Sequence, residues 1–449
     1  MNAAFRSSKF GFVVFVERRN GVARQALRLP AAVSLLLICG LWHAVFAETQ
    51  KIAIEANVIH TMGPQGTLKP GVVIIDAGKI LAVGSPTEVK VPKGYERLHA
   101  AVVTPGLIDA KTCLGLSGIY NVPGDQDQDE STDPNTADVR ALDSFNPREK
   151  LLEYVLSYGV TTVQAGPGPD NPIAGQAGIF KTVGAHGLAS ADQMAIRPVS
   201  AMVFNLGEHP KEVYGGKGKA PVTRMATAQI IRKALLDAKN YLLKQEEWET
   251  SEKKDPSKKP VADLKLDALG RVVKGDLPAI FVADREDDIA TAIRIGQEFK
   301  LKMILAKATE GYLVRDLIRR AGVPVLVGPT MQRLDALQTE NATLENAALL
   351  ADASIPIAFM TGFEGYVPKT RVLLFEAAVA MANGLGFERA LQAATIDSAK
   401  ILGIDDRVGS LEPGKDGDVV LFDGDPFEYA THVETVVVNG EISYQRIRK

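Results

Sequence analysis

Histidine and cysteine are scarce in this chain: six and two, respectively, in 449 residues. His43 lies in an apolar leader, and the others are His60, His99, His186, His209 and His432, no two of them at metal-ligand spacing. That spacing excludes the paired histidines from which local zinc motifs are built. Of the two cysteines, Cys39 also falls in the leader, so its removal would leave Cys113 alone and exclude a disulfide framework. Strong charge is missing too: the formal net charge is −3 and the pI is near 6.2. No basic stripe with interleaved aromatics appears, which excludes a nucleic-acid partner. The loop glycines Gly166, Gly168, Gly175 and Gly178 lack the lysine and hydroxyl of a phosphate loop. What is present is an ordinary globular composition, 46% hydrophobic and 23% charged, long enough for a large core or two domains.

One apolar run stands out. Arg18, Arg19, Arg24 and Arg28 precede AAVSLLLICGLWHAVFA, which ends in Val45-Phe46-Ala47 before Glu48. Residues 1–47 read as a secretory signal with small residues at the cleavage positions. A retained membrane anchor is the alternative, and the run is short for a span. The expected location of the protein is therefore periplasmic or extracellular, with no stable anchor after cleavage.

From Lys51 the chain reads as short strands separated by Gly and Pro: KIAIEANVIHTM, GVVIIDAGKILAVG and HAAVVTPGLID. The same character returns in GSLEPGKDGDVVLFDGDPF and VETVVVNGEISYQ. Two β-rich ends around a different middle predict a small composite sandwich from residues 48–103 and 408–449. Between them, strands alternate with helices. Asn146-Pro147-Arg148-Glu149 offers an N-cap, a first-turn proline and a third-position glutamate ahead of KLLEYVLSYG. Ile289, Ala292, Ile293 and Gly296 share a helical face between the strands AIFVA and LKMILA. Repeating β-α units need a parallel sheet, and at this length an α/β (β/α)8 TIM barrel over residues 104–407 is the leading solution, with an open doubly wound sheet as runner-up. Two charged stretches interrupt the pattern. Residues 244–260 read as a solvated helix extension. Residues 124–138, GDQDQDESTDPNTAD, place Asp125, Asp127 and Asp129 like calcium-loop ligands, but the glycine and terminal glutamate of such a loop are missing, so a solvated loop is expected.

The segment VVTPGLIDAKTCLG resembles the first barrel strand of the amidohydrolase superfamily, in which Pro-Gly, an apolar pair and Asp lead into His-x-His. ATIDSAKILGIDDRVGSLEPGKDGDVVLFDGDP resembles that superfamily's C-terminal signature. GVTTVQAGPGPDNPIAGQAGIFKTVG, GEHPKEVYG with PVTRM, and ADREDDIATAIRIGQEF resemble its imidazolonepropionase-related branch, and the likeness runs from Lys51 to Ser443. It implies hydrolysis of non-peptide carbon-nitrogen bonds at one or two divalent metals in the C-terminal mouth of the barrel. The implied ligands are the His-x-His pair, a carboxylated lysine or glutamate on the fourth strand, histidines on the fifth and sixth, and an aspartate on the eighth. Position by position these fall on Lys111, Cys113, Val203, Val282, Lys307, and Thr361 or Gly362. None keeps the expected residue, so no metal or other cofactor is expected. Asp109 matches the family's aspartate, to which the resemblance gives a structural role. His186 and His209 are expected in loops after the third and fourth strands, with surface or hydrogen-bonding roles.

A protonated lysine cannot ligate a metal, and a fixed cation repels one. Lys111 and Lys307 are thus read as substitutes for the metal's charge. Three roles follow. They pair with carboxylates such as Asp109, Asp284 or Glu310 in a satisfied, inactive site. They bind a small anionic ligand such as a carboxylate. Or Lys111, Cys113 or Lys307 supplies metal-independent hydrolysis, through a thiolate or a Schiff base. No histidine stands near Cys113 to act as its general base. The favoured expectation is an exported, degenerate amidohydrolase with a binding or assembly role, beside a metal-competent paralogue or as a homo-oligomer.

Overall fold

Tight turns with two successive positive φ values organise the β-rich ends. Ala77 and Gly78 (φ 50° and 78°) join β3 to β4, and Asn439 and Gly440 (φ 51° and 76°) join β15 to β16, the backbone pattern of two-residue hairpins that match strand twist. The computed structural model describes residues 50–184, 190–251, 254–331, 337–362 and 372–447, so the leader and His186 lie outside the described residues.

The chain ends build one sheet. Its N-terminal strands are β1 (Ile52–His60), β2 (Thr67–Leu68), β3 (Gly71–Asp76), β4 (Lys79–Gly84) and β5 (Glu96–Pro105). The barrel strands are β6 (Leu107–Thr112), β7 (Val160–Ala165), β8 (Ile173–Lys181), β9 (Ala195–Asn205), β10 (Ala279–Ala283), β11 (Met303–Lys307), β12 (Val325–Val327) and β13 (Ile357–Phe359). β14 (Val419–Phe422), β15 (Val433–Val438) and β16 (Glu441–Gln445) return to the first sheet. There the order is β16-β15-β14-β5-β1-β3-β4, with β2 beside β1. The composite of both ends was expected, and it is a single hydrogen-bonded sheet that curls over one core. A Cβ on Gly440 would come within 2.6 Å of Gly78 Cα, so the two hairpin turns touch. Ile52, Ile54, Val73, Ile75, Val103, Val419, Leu421 and Val437 fill the space the curl encloses.

The second sheet runs β13-β12-β11-β10-β9-β8-β7-β6. Its seam closes where Gly362 N donates to Lys111 O at 2.9 Å and Cys113 N donates to Gly362 O at 3.3 Å. Ile108, Ala110, Val203, Ile280, Val282, Ile304, Ala306, Leu326, Ala358 and Met360 form an inner apolar core, while a larger cluster packs the strands under the helices. Both faces are buried, as parallel barrel strands require. An open doubly wound sheet is thereby excluded. One strand departs from the expected β-α repeat. β8 pairs antiparallel with both β7 and β9. Only residues 166–172 separate it from β7, too few for a crossover helix, so the chain can only return antiparallel.

A second departure is the helix after Pro147, which begins at Lys150. Its N-cap is Glu149, whose carboxylate accepts from Leu151 N at 3.3 Å. Asn146 instead accepts from Arg148 N at 3.0 Å, a local turn that competes with the helix for the same backbone. The charged stretch after residue 244 does extend a helix, Arg224–Thr250. Beyond it the chain folds back, with Trp248 Nε1 donating to Asp255 O at 3.1 Å.

Candidate functional site at the barrel mouth

The C-terminal ends of β6, β9, β10 and β11 and the segment after β13 converge where a barrel carries its chemistry. Asp109 is buried on β6, and the direction of its hydrogen bonds is informative: Thr361 N donates to Oδ1 at 3.0 Å, and Thr361 Oγ1 donates to Oδ2. Burial pushes its carboxyl up to about 7, against the pull of the Thr361 donors and the Lys111 charge. Asp109 therefore ties β6 to the chain after β13 and acts on the seam.

Lys111 is 5% exposed. Burial holds its ammonium below the usual lysine range and Lys307 lowers it further, while Cys113, Asp129 and Asp109 act in the opposite direction. Its Nζ makes no hydrogen bond or ion pair with the described residues. The expected pairing with Asp109 is thus absent: the carboxylate is taken by Thr361, whose backbone and hydroxyl reach it together. Cys113 is buried and its thiol donates to Gly166 O at 3.5 Å.

Lys307 behaves otherwise. Its Nζ lies 3.3 Å from Asp284 Oδ2, and Thr309 Oγ1 donates to Asp284 Oδ1 at 2.5 Å. Asp284 is one of the carboxylate partners expected of Lys307. Glu310, a further expected partner, serves the backbone and an amide instead, accepting from Glu286 N and from Asn341 Nδ2, each at 2.8 Å. Lys307 and Ala308 both have left-handed backbones (φ 67° and 49°), unusual for residues with side chains. Asn346 Nδ2 holds Ala308 O at 2.9 Å and so supports this turn.

Val203 and Val282 lie in the inner apolar core and bring no polar atom to the mouth. Thr361 and Gly362 form the seam described above. The fold thus gathers Lys111, Cys113, Thr361 and Gly362 by direct hydrogen bonds, adds Lys307 through its charge, and leaves the two valines beneath.

The acidic loop is less solvated than expected. Asp129 Oδ1 accepts from Asp170 N at 3.0 Å, Gly168 N donates to Gln128 O at 2.8 Å, and Asn171 Nδ2 donates to Glu130 O at 2.7 Å. These bonds lash the loop to the β7–β8 connection. Burial, aided by the Asp170 carboxylate, pushes Asp129 up to about 6. Asp125 caps Tyr120 N and Val122 N, both at 2.9 Å, so the alternating aspartates diverge. His209 Nε2 lies 2.8 Å from Asp170 Oδ1, the hydrogen-bonding role expected of it. Among the described residues, no group of three or more His, Cys, Asp or Glu could hold a metal ion. Asp129 and Asp170 were absent from the expected site. The only sequence signal for either was the alternating aspartate pattern, which pointed to a calcium loop.

The C-terminal motif also has a mechanical role. Lys181 on β8 is buried between Asp418 Oδ2 at 2.5 Å and Asp416 Oδ2 at 3.1 Å. Asp416 also meets Lys79 at 2.6 Å and Arg407 at 2.8 Å. One motif therefore joins the barrel to both halves of the terminal sheet.

Comparison with known proteins settles the family. A solved structure of an amidohydrolase from Thermotoga maritima is 32% identical, with a TM-score of 0.81 over 88% of this chain and 100% of that one. The chain belongs to the amidohydrolase superfamily. The amidohydrolase family model matches residues 307–443. An imidazolonepropionase of Bacillus cereus is 24% identical over 412 residues, covering 84% of this chain and 90% of that protein. Amidohydrolase tasK of Hapsidospora irregularis is 25% identical over 358 residues, covering 76% of this chain but only 36% of that protein. The relation to the imidazolonepropionase branch and the barrel with its extra sheet are both as the motifs predicted.

Proposed function

We propose that this amidohydrolase-superfamily protein is a degenerate member, exported from the cytoplasm, whose barrel mouth binds a ligand or a partner in place of metal-dependent hydrolysis. The observation that carries the reading is the Lys307–Asp284 ion pair at the mouth. The residues present do not fit a divalent metal centre. An ammonium on Lys307 fixed against Asp284 repels a cation, and Val203 and Val282 have no donor atom. Export rests on the basic and apolar leader at residues 1–47.

Elemental analysis of protein purified without chelators, with hydrolysis of cyclic amides and acyl dipeptides with and without added zinc, tests this function. Substoichiometric metal and no turnover are expected. Stoichiometric metal with turnover would overturn it. Co-purification with a metal-competent paralogue, compared with self-association of the isolated chain, separates an assembly role from a homo-oligomer. A metal-independent hydrolase is the second reading, favoured by a Lys111 amine without a partner among the described residues. It requires turnover that Lys111→Ala, Cys113→Ala or Lys307→Ala abolishes in protein that still folds.

A further inference from the structure

Lys111 differs from the other buried cation described above. Lys181, equally enclosed, sits between two carboxylates, whereas the Nζ of Lys111 has no hydrogen-bond or ion-pair partner among the described residues. A buried polar group without a partner is costly, and a lysine escapes part of that cost by giving up its proton. The charged and titratable groups acting on it are Cys113, Lys307, Asp129 and Asp109. Of these, Asp109 is engaged by Thr361 and Lys307 by Asp284. Lys307, a like charge, disfavours the Lys111 ammonium, and Asp109 forms no ion pair with it. The remaining primary amine lies at the catalytic end of a barrel.

We propose that Lys111 forms an imine with a small aldehyde or ketone at the barrel mouth. The inference rests on the reading that this mouth holds no metal. The Nζ lone pair attacks the carbonyl carbon, and the carbon-oxygen π pair moves to oxygen, which takes up a proton. The nitrogen of the resulting carbinolamine loses its proton, and the protonated hydroxyl leaves as water. The net change is one carbonyl compound and one amine to one imine and one water, with no oxidation or reduction. Burial lowers the Lys111 pKa and Lys307 lowers it further, which raises the share of the nucleophilic, neutral form. The Asp129 carboxyl, pushed up to about 6, lies among the groups acting on Lys111 and retains a protonated fraction near neutral pH that can serve the dehydration.

Borohydride trapping tests this directly. The full-length protein is incubated at neutral pH with propanal or with pyruvate and treated with sodium borohydride. Hydride adds to the imine carbon, a proton adds to nitrogen, and the secondary amine is located by peptide mass mapping. Lys150 and Lys233, with side chains 60% and 65% exposed, serve as internal references. A lowered lysine pKa raises the neutral fraction at neutral pH, so labelling of Lys111 should exceed that of the references. Lys111→Met should lose that adduct and keep the reference labelling. Labelling of Lys111 no faster than of Lys150 would overturn the imine, and the wild-type peptide map decides this even if the variant fails to fold. If pyruvate labels faster than propanal, and Lys307→Met removes the difference, the ligand is an anionic carbonyl compound; equal labelling makes it a neutral one. Metal content measured on the same sample keeps the two readings apart. Metal-free protein without an adduct defeats only the imine, whereas stoichiometric metal defeats the reading beneath it.

Discussion

Replacing Lys111 by methionine should stabilise the protein, and the sign of the effect decides what the lysine does. Removing one member of a buried ion pair costs about 3–5 kcal/mol, whereas a buried polar group left without a partner costs about 1–3 kcal/mol that an apolar residue of similar volume does not incur. Lys111 is 5% exposed and makes no pair with the described residues, so the second case applies. A gain of about 1–3 kcal/mol is expected at pH 7, seen as a rise in Tm of about 1–4 °C. The pH dependence follows from the sign of the shift. The native pKa of Lys111 is lowered, so between the native and unfolded values the unfolded chain binds a proton that the native state does not. Wild-type stability therefore rises with pH through that window, and the penalty vanishes above the unfolded value near 10.4. Lys111→Met lacks this term, so its advantage should shrink between pH 7 and pH 10. Thermal melts of both proteins at those two pH values measure it. A fall in Tm at pH 7 of the size expected for a broken ion pair would refute the reasoning and restore a carboxylate partner in solution.

Lys181→Met should destabilise by about 3 kcal/mol, the low end for a broken buried pair, because Asp416 keeps Lys79 and Arg407 and Asp418 keeps Asn439 N at 2.9 Å. Denaturant titration should show a lower midpoint, and an unchanged midpoint would mean that the barrel and the terminal sheet are held by apolar contacts alone. The Asp416 carboxyl is held down at about 2 in spite of its burial, by Lys181, Lys79 and Arg407. Its contribution is complete above the unfolded value near 3.8 and is lost as pH falls through 2, so an acid melt should show a loss of up to about 2 kcal/mol, reduced by solvent screening, that an Asp416→Asn variant lacks. Asp109 carries the opposite sign. With its carboxyl pushed up to about 7, its contribution is complete below 3.8 and is lost as pH rises through 7, so Asp109→Asn should flatten Tm against pH between 5 and 8. A slope equal to that of the wild type would show that another group titrates there.

Much of the fold can be read locally. Gly78 and Gly440 suit the positive φ of the turns that join terminal strands, and Gly and Pro punctuation marks those strands in the sequence. Apolar strands with helical spacing between them called for a barrel with a buried parallel sheet. The antiparallel β8 was less evident, although the length of the 166–172 connection contains its cause. The residues at the barrel mouth could be named from motif position alone.

The sequence by itself determined the set of elements, the two-ended sheet, the family, and the identity of the residues at the barrel mouth. Those features follow from local backbone preference, apolar periodicity and motif order. Only the tertiary structure decided how the charges at the mouth pair. Asp109 had Lys111 two residues away but is claimed by Thr361, 252 positions along the chain, while Lys307 finds Asp284 and Asp129 meets the backbone of Asp170. Each carboxylate satisfies its lone pairs with whatever donors the closed barrel brings within reach, and Asp109 takes only the backbone N–H of Lys111, at 3.4 Å, beside the two Thr361 donors. The Nζ of Lys111 is left without a partner among the described residues, while the barrel seam delivers a hydroxyl and a backbone N–H to Asp109, the carboxylate nearest to it in sequence.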